Sequence, residues 1–298
     1  MNLKGTPMKL ELIASLLIAS TAFLHAAEQI PFSYHMTGTT ENISGNGPVT
    51  PQKTVQASVN EDEKWGMTLR IEPKKTESDT MYRIRLDVKG ASMVKFRDDV
   101  HPVNNANLSA GRGVITVFGI TDDSNPGRWK FFIDKKYEKI EINSLTVEKI
   151  QPEEYYSNLL PDEGLEPGFW HGIWGKRDGC FPKLVENENS PEGKLLHFDA
   201  AKPGDGHKAT MPLPYLPGRK YEISFWIRGN EEALISWQVA YGGIKTTRLG
   251  LKKEWTHVKM SGETPDREHQ GGMFLVFVGK SAPLPEFDLG GVDFHYVK

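Results

Sequence analysis

The sequence predicts an all-β protein, two tandem antiparallel β-sandwich domains after a signal peptide. Three observations carry that expectation. Residues 221–229 alternate strictly, with Tyr221, Ile223, Phe225 and Ile227 on one side and Glu222, Ser224, Trp226 and Arg228 on the other. Period two over this length describes a strand with one face in a core. The same phrase occurs in residues 82–90, where Tyr82, Ile84, Leu86 and Val88 face in and Arg83, Arg85, Asp87 and Lys89 face out. Two copies of one strand imply two copies of one domain. Between these phrases lie many short runs broken by turn signals, with no amphipathic helical period of useful length.

Taken in order, residues 1–27 read as a signal peptide. Lys4 and Lys9 supply a positive start, residues 10–24 are mostly apolar, and Ala26 and Ala27 are small enough for cleavage; Met8 offers an alternative start. The expectation is export to a periplasm, a cell surface or the medium, with no membrane span left after cleavage. The net charge of −3 points to neither nucleic acid nor an anionic membrane as partner. The single Cys180 excludes an internal disulfide and reads as a structural thiol.

Residues 28–151 form the first unit. Strands are expected at 30–36, 54–59, 65–71, 82–89, 113–120, 129–133 and 139–150, with turns rich in Gly, Asn, Asp and Pro between them. Pro152 ends the last strand, and the charged residues after it read as a short exposed connection. Residues 156–298 form the second unit. Here strands are expected at 195–198, 209–213, 221–228, 233–241, 246–251, 255–260, 273–278 and 288–297, and a Trp-rich loop holds Trp170 and Trp174.

The second unit resembles a known family. Asn158-Leu-Leu-Pro161 with residues 164–168, then the Tyr221 phrase, then Glu254-Trp255, then residues 287–292 come in a fixed order. That order is similar to the carbohydrate-binding modules of the cellulose- and xylan-binding jelly-roll group, and it covers essentially all of residues 156–298. The first unit resembles a degenerate copy, keeping the Tyr82 phrase and an ending at residues 142–147 but lacking the opening phrase and the loop tryptophans. The resemblance implies two jelly rolls and a polysaccharide or glycan as ligand. It also implies a structural calcium, for which Glu166 matches an acidic ligand. Gly290 and Gly291 stand where a second ligand Asp belongs, and one carboxylate is too few for calcium, so no cofactor is expected.

Modules of this kind lay aromatic rings against pyranose faces and hydrogen-bond the hydroxyls from the side. The strand phase puts Trp226 on the face away from the core, together with Ser224 and Arg228, and on the next strand Gln238 is expected to face the same way. Trp226 has two readings, a stacking platform or a ring packed beneath a loop. Trp237 falls in the apolar phase and reads as core. Trp170 and Trp174 read as a pair of which one rims a cleft and the other plugs the sandwich end. The site residues expected from sequence are thus Trp226, Ser224, Arg228, Gln238, Trp170 and Trp174.

Catalytic constellations do not emerge. Asp98-Asp99, Asp122-Asp123 and Glu231-Glu232 are adjacent pairs, not carboxylates facing across a cleft, and the histidines show no metal-ligand spacing. The expectation is a non-catalytic glycan binder. The alternative from a different class is a structural or adhesion protein of the envelope that uses the fold for protein contacts.

Overall fold

The computed structural model describes residues 28–37, 43–47, 53–56, 67–74, 76–90, 93–98, 106–109, 114–121, 128–133, 139–166, 170–172, 182–198, 207–240, 243–264, 273–278 and 285–298. The expected signal segment, Trp174, Cys180 and the Asp122-Asp123 pair lie outside them.

Two tandem antiparallel sandwiches follow one another along the chain. The first is built from β1 (Glu28–Gln29), β2 (Phe32–Thr37), β3 (Ile43–Asn46), β4 (Lys53–Gln56), β5 (Met67–Pro73), β6 (Thr80–Lys89), β7 (Met93–Asp98), β8 (Ala106–Ser109), β9 (Ile115–Thr121), β10 (Trp129–Ile133) and β11 (Lys139–Lys149). One sheet runs β1-β11-β6-β9, with β4 also on β11, and the other β3-β2-β5-β10-β7-β8. The second sandwich comprises β12 (His171–Gly172), β13 (Lys183–Glu186), β14 (Lys194–Phe198), β15 (His207–Pro212), β16 (Lys220–Gly229), β17 (Leu234–Ala240), β18 (Thr247–Gly250), β19 (Thr256–Glu263), β20 (Met273–Val278) and β21 (Phe287–Tyr296). Its sheets run β12-β15-β20-β17-β18 and β13-β14-β21-β16-β19. Among the described residues no strand pairs across Ile150.

The two repeated phrases became equivalent strands. β6 pairs with β11 and β9, and β16 pairs with β21 and β19. Tyr82, Ile84, Leu86 and Val88 are buried, as are Tyr221, Ile223, Phe225 and Ile227. Both closing strands also carry the same irregularity. Asp87 faces two residues, Asn143 and Ser144, where Trp226 faces Gly290 and Gly291. Counted from each Tyr, the bulge falls at the same place, which puts an extra residue and a local bend in the outer face.

Each sandwich has its own core, and the second core reaches into the first sandwich. Met81, Phe118, Ile120 and Ile150 pack with Leu159, Leu165 and the rest of the second core. β9 is therefore buried along its whole length, one face in each core. Burial of each such side chain contributes about 1.5–3 kcal/mol. The connection is a 3-10 turn, Pro152–Tyr156, with no buried residue, and its Tyr155 touches both sandwiches. Met81 N–H donates to the Tyr155 hydroxyl at 3.3 Å, and the Tyr155 ring meets Tyr296 edge-on at 6.3 Å.

Candidate functional site on the outer face of the second sandwich

The apolar phase of β16 fills the core, so its other phase covers the outer face of the sheet. Register then lays out that face in rows. Glu222 lies beside His295 on β21 and Ser261 on β19, and Ser224 beside Asp293 and Lys259. Trp226 lies between His257 and the Gly290-Gly291 bulge. Arg228 lies beside Asp288, which has His197 of β14 on its far side.

The side chains in these rows are tied together. The Trp226 ring stacks on the His257 imidazole, centroids 4.3 Å apart at 17°. Arg228 Nε–H donates to Asp288 Oδ2 at 2.8 Å, and His197 Nδ1 pairs with Asp288 Oδ1 at 2.8 Å. At the other end His295 Nδ1 pairs with Asp293 Oδ1 at 2.5 Å, and Lys259 Nζ meets Glu222 Oε1 at 2.6 Å.

Trp255 crosses this face. It sits just before β19, yet its Nε1–H donates to the Asn189 carbonyl at 3.0 Å, in the turn between β13 and β14. On the way its ring covers Arg228, with Cζ 4.7 Å from the ring centroid, and lies over Gly290. A Cβ at Gly290 would stand 3.0 Å from the ring and 2.8 Å from Pro191 Cδ. Gly291 has φ +128°, a backbone conformation that other residues rarely adopt. Gly290, one of the two glycines that break the calcium pattern, thus lets an edge of the Trp255 ring approach the strand.

Two clefts open on the face. One of about 180 Å³ is lined by Trp226, Ser224, Glu192, Asn158, Gly291 and Asp293. The other, about 320 Å³, is lined by Arg228, His197, Asn230, Lys253, Glu286 and Asp288. An aromatic plane with polar groups beside it can stack on a sugar ring and hydrogen-bond its hydroxyls.

Trp226, Ser224 and Arg228 therefore share one face. The expectation for Gln238 needs correction, and Trp170 takes one of the two places expected of its pair. Gln238 lies on β17, in the opposite sheet, where its Oε1 accepts from Thr246 Oγ1 at 2.6 Å. The chain crosses from one sheet to the other between β16 and β17, so outward phases on these strands point to opposite sides of the molecule. Trp170 is fully buried; its Nε1–H donates to the Gly164 carbonyl at 2.5 Å, and its ring meets Phe198 and Phe274 edge-on. It plugs the sandwich, the place expected for one member of the Trp170–Trp174 pair.

Glu166 does not fit a metal. Its Oε1 accepts from Arg85 Nη2 at 3.1 Å, so a guanidinium of the first sandwich already supplies the cation. Among the described residues no group of three or more His, Cys, Asp or Glu is placed to hold an ion. Burial pushes the Glu166 carboxyl above its ordinary value, and Arg85 only partly offsets this. The residues that sequence reasoning missed are Trp255, His257, His197 and Lys253. Trp255 was visible only as a motif of the resemblance, and no local pattern says that its ring reaches across two strands.

No family model matches the chain, and no curated protein matches it. Solved structures do resemble it. The N-terminal CBM22-1-CBM22-2 tandem domain of Xyn10C from Paenibacillus barcinonensis is 11% identical over 84% of this chain and 93% of its own, with a TM-score of 0.33. TmCBM61, solved with β-1,4-galactotriose, is 16% identical over 47% of this chain and 99% of its own, at 0.36. The enzymatically active domain of tailspike protein 4 of bacteriophage CBA120 is 12% identical over 47% of this chain, which spans 21% of that domain, also at 0.36. The first two neighbours are carbohydrate-binding modules. The likeness is one of general build.

Proposed function

We propose that this is an exported, non-catalytic glycan-binding protein whose second unit, residues 156–298, reads a polysaccharide on the outer face of the β14-β21-β16-β19 part of its sheet. The observation that carries the reading is the Trp226–Trp255 surface. Two indole rings lie on one polar sheet face, each beside a cleft, with Ser224, Asp293, Arg228 and Asp288 around them. Both rings stay partly exposed among these polar groups, which is the arrangement a stacking surface needs.

The first unit, residues 28–151, serves as a partner module. Its equivalent of the Trp226 row holds Asp87, and part of the same face, with Met81 and Phe118, is buried against the second unit. It therefore offers no aromatic platform at that place.

A glycan array probed with the protein and with Trp226→Ala tests the reading. Stacking is worth about 0.5–1.5 kcal/mol beyond the buried area. The variant is expected to lose roughly tenfold or more in affinity for whichever glycan binds, with little change in melting temperature. Unchanged binding by Trp226→Ala would remove the site. Absence of any glycan signal would favour the adhesion reading instead.

A further inference from the structure

In the larger cleft both Asp288 oxygens are engaged, one by His197 Nδ1 and one by Arg228 Nε, each at 2.8 Å. On the rim, Glu286 Oε1 faces His197 Nε2 at 3.6 Å. Asp288 thus already faces two basic groups of the protein, while Glu286 stays largely exposed. Arg228 is different. Among the described residues its hydrogen bonding stops at Nε, and Nη1 and Nη2 bond to none of them.

The guanidinium plane is held from two directions, by Asp288 through Nε and by the Trp255 ring 4.7 Å from Cζ. A guanidinium fixed in this way offers two parallel N–H donors in a set direction, and the group that matches the fork is a carboxylate. Lys253 lines the same cleft from its exposed pair with Glu231. A single hydroxyl does not present the two parallel acceptor oxygens that match the fork, as a carboxylate does. We propose that this cleft takes the carboxylate of a hexuronate residue, so that the polysaccharide read by this face is an acidic one. The proposal rests on the glycan-binding reading above and adds the class of sugar.

The test is titration calorimetry of the full chain with polygalacturonate and with the same polymer after its carboxyls are reduced to primary alcohols. The acid polymer is expected to bind about tenfold tighter or more, with the advantage shrinking as salt is raised. Arg228→Gln should remove that advantage, lowering affinity for the acid polymer several-fold more than for the reduced one. Arg228→Lys, which keeps the charge and loses the fork, should recover only part of it. Lys253→Gln, exposed and outside the core, should weaken acid binding by about twofold to fivefold, and it keeps the test sound if the Arg228 variants fail to fold.

Equal binding of the two polymers overturns the inference. So does an Arg228→Gln loss that is the same for both, or no binding to either polymer. Binding to a sulfated galactan that depends on Arg228, without binding to polygalacturonate, assigns the cleft to a sulfate ester and overturns the carboxylate. Trp226→Ala keeps the two readings separate. If it weakens the reduced polymer while Arg228 makes no difference, the glycan reading stands and the acidic one falls.

Discussion

At the scale of single residues, phase and depth decide what an indole does. Trp226 and Trp237 lie on neighbouring strands in sequence, one in the polar phase and one in the apolar phase. The first stacks on His257 at the surface. The second is buried against Phe225, centroids 5.0 Å apart at 82°, and against Phe274. Trp237→Ala is therefore expected to open a core cavity costing about 3–5 kcal/mol. Thermal melting checks this, and glycan affinity measured below the lowered transition should stay within about twofold of the parent. A variant that melts like the parent but binds poorly would exchange the roles of the two tryptophans. Trp170 follows the same rule from a loop, where no strand phase announced it. Only the carbonyl of Gly164 and the rings of Phe198 and Phe274 show that it lies inside.

At the scale of elements, the Gly290-Gly291 bulge shapes the site. Gly290→Ala would put a Cβ 2.8 Å from Pro191 Cδ and 3.0 Å from Trp255, and neither neighbour is a flexible chain end. Trp255 should lift from β21 and loosen its contact with Arg228. The expected cost is about 1–3 kcal/mol, read as a lower melting temperature together with a red shift in tryptophan emission. An unshifted emission spectrum would mean that Trp255 does not lie on the strand. This element also marks how far the sequence could be read. Strands such as β6, β10, β16 and β21 were legible because alternation states which phase is buried. β7 was not, because its inward row is Val94, Phe96 and then Asp98, a buried carboxylate that accepts from Ile120 N–H at 3.3 Å. β13 was hidden for the opposite reason. It is an edge strand exposed on both faces, so it has no period to show. Of the site, Trp226, Ser224 and Arg228 followed from a single strand. Gln238 was misplaced because alternation within a strand does not say which sheet the next strand joins. Trp255 and His197 come from separate elements brought together by pairing, and no spacing along the chain encodes that.

At the scale of the whole molecule, the two sandwiches meet through both an apolar seam and a charged one. Met81, Phe118 and Ile120 enter the second core, and beside them Arg85 holds Glu166. Glu166 Oε2 is buried and has no hydrogen-bond partner among the described residues. Burial is the largest influence on this carboxyl and raises its pKa above the ordinary 4.5; Arg85 acts in the other direction. In the unfolded chain the carboxyl loses its proton near the ordinary value, while in the folded protein it holds the proton to higher pH. Between those two points the folded state binds more protons, so this group's contribution to stability is complete below about 4.5 and declines as pH rises through the folded value. The difference in stability between the parent and Glu166→Gln, which cannot titrate, should therefore fall as pH is raised from about 4 to about 7. Arg85→Met removes the opposing cation and should steepen that fall. Denaturant unfolding at a series of pH values measures it directly. A difference that rises with pH would mean that the Arg85 contact outweighs burial at the seam, and a flat one would mean that Glu166 is solvated there.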